Sequence, residues 1–300
     1  MKVEGEERPR VSVVVAAYNS ARMLGACLES LRGQTFRDFE VIVVNSSAEE
    51  ETRAVVEGYA GVMFVQSAER LLPHAARNAG VERARGAYLV FTDADCCAAP
   101  GWLAELVAGH DAGHEVVCGV IDVMNPTLSG AAWQLVKYAP YQEGLRSGVV
   151  EVAATGNCSY SRVAWAAVGP FDGGVICGDA LMSWRARDAG MAPYFRGSAV
   201  VYDQDDGFRW GMLRQRYERG DEFGRMRSGY ERWSRVRTMR ALLTVPLAPL
   251  AVLLRAAGMC WRAGRMGRYA VTLPFQSVAV ACWCAGEARA YWRVLGRSEK

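Results

Sequence analysis

The chain has 300 residues, 51% hydrophobic and 22% charged, which excludes a disordered composition and suffices for one large core or two modest ones. Net charge is +3, yet residues 1–208 hold 17 Lys/Arg against 26 Asp/Glu, and residues 209–300 hold 18 against 6. An acidic front and a basic back imply two parts with different partners. No fixed-period repeat, low-complexity tract or paired metal-ligand spacing is visible, and the 9 cysteines read as buried thiols in a reducing cytoplasm.

In chain order, the opening MKVEGEERPR is polar and has no apolar core of a signal peptide. Val11–Ala16 is a continuous β-branched run, as expected of a strand covered on both faces. Tyr18-Asn19-Ser20 ends it and can cap a helix in which Met23, Leu24, Cys27, Leu28 and Leu31 recur at helical spacing. Strands follow at 39–44, 62–65 and 88–91, with helices at 49–59 and 74–83 between them. This alternation predicts a parallel sheet flanked by helices, with ligands beyond the carboxyl ends of the strands. Asn19, Asn45 and Asp93/Asp95 all fall at such ends. Further on, the pattern gives helices at 102–108, 162–168 and 179–189, and strands at 116–120 and 199–202.

Asp93-Ala94-Asp95 sets two carboxylates together after an apolar strand. Like charges there are costly unless a cation sits between them, and a hard divalent ion bridging phosphate oxygens is one solution. An Asp-rich turn before the Trp102 helix is the plainer alternative. His74, His110 and His114 lack a Cys/His pattern for zinc and read as loop or surface residues.

Taken together, VSVVVAAYN, VIVVNSS, HAARNAGVERARGAYLVFTDADC and GDALMSWRARDAG, in this order over roughly residues 10–220, resemble the family-2 glycosyltransferases of GT-A fold. The resemblance implies an α/β fold: a Rossmann-like, mostly parallel sheet with helices on both faces, followed by a mainly α-helical C-terminal region. It implies a catalytic domain over 1–208 and a basic, apolar helical region over 209–300. The implied activity is transfer of a sugar, with inversion, from a nucleotide-sugar donor to a hydroxyl on a glycan, lipid or other acceptor, using Mg²⁺ or Mn²⁺. Synthesis of a cell-envelope glycan fits this activity, and no nucleic-acid partner is expected. By the resemblance, Ala17, Tyr18, Asn19 and Asn45 meet the nucleotide, and Arg77 and Asn78 line the nucleotide and diphosphate pocket. Asp93 lies near ribose and metal, Asp95 is the principal metal ligand, and Asp179 is the general base. Asn157 and Trp184 are candidate acceptor-pocket residues. Asp179 also reads as a helix N-cap, and one carboxylate can fill both roles.

This sequence departs from the family pattern at several points. Asn45 stands where an acidic residue is usual, and Gly178 where a Glu commonly precedes the base. Asp203-Gln204-Asp205-Asp206 replaces a His that can help hold metal, and Gln215-Arg216-Tyr217 stands in for the usual Gln-x-x-Arg-Trp. A GT-A-like scaffold without activity and a nucleotidyltransferase are the competing readings. The second lacks its Gly-rich loop, and a dinucleotide dehydrogenase lacks GxGxxG after the first strand.

In the basic back, two apolar stretches, 241–254 and 269–286, are interrupted by Pro246, Pro249 and Pro274. Arginines flank both: Arg232, Arg235, Arg237 and Arg240 before the first, Arg255, Arg262, Arg265 and Arg268 between them, and Arg289, Arg293 and Arg297 after. A two-span hairpin would put the charged connection outside, against the positive-inside tendency. The expectation is therefore helices lying on or dipping into the cytoplasmic leaflet, arginines on anionic headgroups and Trp261, Trp283, Tyr291 and Trp292 at the interface. A helical subdomain packed on the transferase is the alternative.

Overall fold

A computed structural model describes residues 8–124, 126–204 and 210–296. They form two compact units. The first gathers the described residues up to Ile121 with Arg146–Gly174 and Gly178–Gln204; the second gathers Asp122–Leu145, Val175–Cys177 and the described residues from Trp210 onward.

The chain runs β1 (Val11–Ala17), α1 (Ala21–Arg32), β2 (Phe39–Asn45), α2 (Glu50–Glu57), β3 (Val62–Gln66), α3 (Pro73–Val81), β4 (Tyr88–Asp93), β5 (Cys96–Ala98), α4 (Trp102–Asp111) and β6 (Val116–Val123). It enters the second unit as α5 (Leu128–Tyr138) and returns as β7 (Gly148–Val149), β8 (Asn157–Ser161), α6 (Arg162–Val168), α7 (Gly178–Asp188) and β9 (Tyr194–Asp203).

One sheet orders these strands β3-β2-β1-β4-β8-β6-β9-β5, with β7 on β9. β3, β2, β1 and β4 are parallel; β8 runs antiparallel to β4 and β6, and β9 antiparallel to β5 and β7. Every residue of β1 but Ala16 is buried, so the unbroken apolar run is that of a strand covered on both faces. The one buried polar side chain in β1, Ser12, accepts from Gly86 N and donates to Glu40. Among the described residues, the sequence pattern misses β5, β7, β8 and α5, all short or rich in small residues. Ser20 opens α1 but caps none of its amides; its hydroxyl turns back to Tyr18 N and O.

The second unit adds α8 (Trp210–Tyr230), α9 (Arg235–Thr244), α10 (Ala248–Arg262) and α11 (Met266–Gly296) to α5. Pro246 lies in a single 3₁₀ turn, Val245–Leu247, and Pro249 in the first turn of α10, where a missing N–H breaks no helical bond. The prolines therefore do not cut the segment short: 235–262 and 266–296 are each long and apolar enough to cross a membrane. Pro274 lies inside α11. Two of the arginines between the stretches are engaged within the protein rather than facing outward. Arg265 and Arg268 both bind the buried Asp122, the latter at 3.1 Å, and Arg265 also reaches Glu143 at 3.0 Å. That pairing holds the Asp122 carboxyl below its usual range despite its burial. Tyr291 and Trp283 are likewise internal: Tyr291 is buried with its hydroxyl on Arg227, and Trp283 lies under the Arg216 guanidinium. Trp261 and Trp292 are exposed. Asp205, Asp206 and Arg297 lie outside the described residues.

Candidate active site

Parallel register brings three strand ends to one edge. Ala17 pairs with Asn45, and Ala16 pairs with Asp93. Ala17 is buried backbone; Tyr18 and Asn19 beyond it are exposed, Asn19 in the left-handed region at φ 51° that Asn tolerates better than most residues. The Arg70 guanidinium stacks 4.5 Å above the Tyr18 ring. Asn45 is buried, and its amide is spent locally. Its Oδ1 accepts from Ser47 N and Oγ, and its Nδ2 donates to Ser47 O and Gln66 Oε1. Asn45 therefore shapes the turn after β2, a task an unbonded carboxylate could not complete because it has no N–H to give.

Helix α3 organises the centre. His74, Arg77 and Asn78 share one face by their spacing. Arg77 is only 3% exposed, and its Nη2 pairs with Asp93 Oδ1. Its Nε has no partner among the described residues. Asn78 does not stand free in the pocket: its Nδ2 donates to Phe171 O at 2.9 Å and its Oδ1 accepts from Phe171 N at 3.1 Å. It thus anchors the loop that leads to Asp179. His74 is buried against Phe171, 4.9 Å between ring centroids. A Cβ on Gly178 would lie 2.8 Å from the His74 ring, so a Glu at 178 would displace that ring.

The pair of aspartates lies at the end of β4 and the turn after it. Ligand atoms of Asp93, Asp95 and Cys96 lie within 4.8 Å of one another. Burial, then Asp95, Asp93 and Asp203, push the Cys96 thiol well above its ordinary value, so it stays protonated and a poor ligand for a hard cation. The two carboxylates suit Mg²⁺ or Mn²⁺. Asp203 sits beside them because β9 pairs with β5 in the register Cys96–Asp203, and Gln204 N donates to Asp95 O at 2.8 Å.

Asp179 opens α7, half-buried, and takes the Ala180 N–H at 2.9 Å on its Oδ1. Asp179 directly follows Gly178, which packs against the His74 ring, and His74 Nδ1 lies 3.5 Å from Arg77 Nη1. The two acceptor-pocket candidates are both buried. Asn157 is 0% exposed, accepts from Trp102 Nε1 and donates to Val120 O and Ala199 O, which leaves it stapling the sheet. Trp184 is 2% exposed inside α7's packing face.

Two of the three histidines are also not at the surface. His110 is buried, stacked on Tyr88 with centroids 4.2 Å apart. His74 is the site residue the sequence reading passed over; its position three before Arg77, on the same helical face, was the available signal. Arg70 had none, because its partner is fixed only by the loops meeting in space. All nine cysteines are free thiols and eight are buried.

The sequence profile of Glycosyl transferase family 2 matches residues 12–166. The chain belongs to this family. It has the GT-A fold, with a helical C-terminal region. It is 30% identical over 200 residues to Glycosyltransferase AglE of Haloferax volcanii, covering 64% of this chain and 66% of that protein. It is 27% identical over 116 residues to the GalNAc(5)-diNAcBac-PP-undecaprenol beta-1,3-glucosyltransferase of Campylobacter jejuni, covering 37% of this chain and 38% of the relative. These stretches span less than two thirds of either relative. Among solved structures, the mannosyltransferase PcManGT from Pyrobaculum calidifontis, in complex with GDP-Man and Mn²⁺, superimposes with a TM-score of 0.67 at 19% identity. That likeness covers 96% of this chain and 88% of the other, and at such identity it speaks to the fold.

Proposed function

We propose that this glycosyltransferase is a metal-dependent, inverting enzyme that moves a hexose from a nucleotide-sugar donor to a hydroxyl of a lipid-linked or glycan acceptor at a membrane surface. The observation that carries this reading is the ion pair of the buried Arg77 with Asp93, with Asp95 beside Asp93 after the end of β4. A guanidinium and a carboxylate pair at the strand ends suit a metal-bound diphosphate, and the candidate base Asp179 follows Gly178, which lies against His74 on the same face of α3 as Arg77. Tyr18, with Arg70 on its ring, offers a stacking surface for the nucleotide base, beside the Ala17 and Asn19 backbone. Arg77 orients Asp93 and offers positive charge to the diphosphate. Asp179 takes the proton from the acceptor hydroxyl as that oxygen attacks the anomeric carbon and the bond to the diphosphate oxygen breaks. Attack from the side opposite the leaving group inverts the anomeric carbon. Asp93 and Asp95 would hold a Mg²⁺ or Mn²⁺ ion, which supplies neutralisation of the charge left on the diphosphate.

Membrane attachment rests on 209–300. Segment 235–262 presents an exposed stripe of Val236, Met239, Leu243, Leu247, Leu250 and Leu254, spaced three or four apart, with Trp261 seven residues further on. Arg235, Arg237, Arg240, Arg255 and Arg262 flank it, all exposed. A long apolar stripe bordered by arginines suits a helix lying in the plane of an anionic cytoplasmic leaflet. The Campylobacter relative takes its name from an undecaprenol-linked substrate, which supports a lipid-linked acceptor.

The test is hydrolysis or transfer of GDP-mannose and UDP-glucose with Mn²⁺. Asp95→Ala is expected to abolish metal-dependent turnover. Asp179→Asn is expected to keep Mn²⁺-dependent binding of the donor, read by thermal shift, while transfer is lost. Wild-type transfer in Asp179→Asn would overturn the assignment of the base.

A further inference from the structure

Asp179 follows a short segment, Gly173–Cys177, whose conformation decides where α7 begins. At its upstream edge Asn78 grips Phe171 through both N–H and C=O. Further along, residues 175–177 belong to the second unit. Their contact comes from the middle of α8. Glu222 Oε1 accepts from Ile176 N at 2.8 Å and from Cys177 N at 2.7 Å. Two backbone donors converging on one carboxylate oxygen form a charge-assisted pair, stronger and more directional than neutral bonds. One turn earlier on the same helix face, the Arg219 carbonyl accepts from Cys177 Sγ at 3.9 Å.

The helix that carries Glu222 is itself held without slack. A Cβ on Gly220 would lie 2.2 Å from Trp283 O, and one on Gly286 would lie 2.1 Å from Tyr217 O. Backbone thus lies directly against backbone where α8 meets α11, and the Glu222 carboxylate projects from a fixed support.

We propose that Glu222 is a positioning residue for the transfer reaction: it pins the backbone two residues before Asp179 and so fixes the reach of the base toward the acceptor hydroxyl. The inference rests on the reading of Asp179 as that base. Sequence gives no hint of it, since Glu222 stands 43 positions after Asp179 in the basic helical region. A misplacement of about 1 Å in a catalytic group can lower turnover about 100-fold.

The experiment compares Glu222→Ala, Glu222→Gln and Glu222→Asp with wild type, using GDP-mannose and UDP-glucose with Mn²⁺ and whichever of the two turns over. Amide exchange over 173–180 is followed in parallel. Glu222→Ala is expected to lower kcat about 10- to 100-fold, with donor KM within about twofold, and to speed exchange at 176–177. Glu222→Gln keeps an acceptor oxygen in the same place and is expected to retain kcat within about threefold, with exchange slow. Glu222→Asp keeps the charge but withdraws the oxygen, and is expected to follow Glu222→Ala; it serves if the alanine variant does not fold. Wild-type kcat in both Glu222→Ala and Glu222→Asp, or loss in Glu222→Gln equal to that in Glu222→Ala, overturns the proposal. Asp179→Asn is run beside them. If it retains transfer, the base reading fails; if it loses transfer while Glu222→Ala and Glu222→Asp do not, only the pin fails.

Discussion

His110 shows how burial sets the chemistry of a single side chain. Its Nε2 faces Ser159 Oγ and its Nδ1 faces the His114 carbonyl at 2.7 Å. A carbonyl only accepts, so Nδ1 carries the proton and Nε2 accepts from the hydroxyl, the neutral tautomer. Burial, opposed by the His114 carbonyl and by Glu115 and Asp111, pulls the imidazole down to about 4. Because the folded value lies below the unfolded value of about 6.5, the unfolded chain binds the proton first as pH falls. Stability is therefore full above about pH 6.5 and is lost progressively toward pH 4, by on the order of 3 kcal/mol. Urea unfolding at pH 7.5 and 4.5 is expected to show this loss in wild type, and His110→Leu to shrink the difference by about 2 kcal/mol while being less stable at pH 7.5. The same gap between residue type and environment explains what sequence could read of the site. The placement of Asp93 and Asp95 together is legible because an apolar strand pattern ends on them. The internal duties of Asn78, Asn45, Asn157 and Trp184 are not, since an amide or indole on paper does not reveal which neighbours occupy it.

At the scale of elements, the strand–helix alternation of the first hundred residues was legible because β-branched runs and helical spacing are strong local signals. β5 and β7 were not, being three and two residues long and defined only by their pairing with β9. Proline misled in the basic region: Pro246 and Pro249 look like interruptions, yet both stand in first turns where the chain loses no bond. The seam between α8 and α11 depends on glycine for a different reason, close approach. With Trp283 O only 2.2 Å from where a Cβ would stand, Gly220→Ala forces two backbones apart, since no rotamer change can relieve it. The expected cost is about 2–3 kcal/mol. Gly258 in α10 has open space around the same position, so Gly258→Ala is expected to be neutral or stabilising by up to about 1 kcal/mol. Urea midpoints of the two variants check the contrast; equal midpoints would mean that the seam relaxes more readily than its geometry implies.

Over the whole molecule, the division of charge was legible in composition alone, and the structure changes which charges are free to act. Arg265 and Arg268 are committed to Asp122, so in the proposed membrane attachment the attraction to an anionic surface falls to exposed arginines such as Arg240, Arg255 and Arg262, next to the leucine stripe. Two forces would then act together on that binding, and they separate by experiment. Leu247 is 68% exposed and Leu250 60%, so burial of both in a lipid interface would contribute at least about 3 kcal/mol, a factor of about 100 in affinity. Leu247→Glu with Leu250→Glu is expected to weaken co-sedimentation with phosphatidylglycerol/phosphatidylcholine vesicles by that factor or more at every salt concentration. Arg255→Gln with Arg262→Gln is expected to weaken it only about 30-fold at low salt, at about 1 kcal/mol per arginine near the surface, and far less at 0.5 M NaCl, where the screening length shrinks to a few ångströms. Neither pair lies in the first unit, so hydrolysis of a soluble nucleotide sugar is expected to persist in both. If the leucine variant binds vesicles like wild type, the exposed stripe of 235–262 is not the membrane-contacting surface.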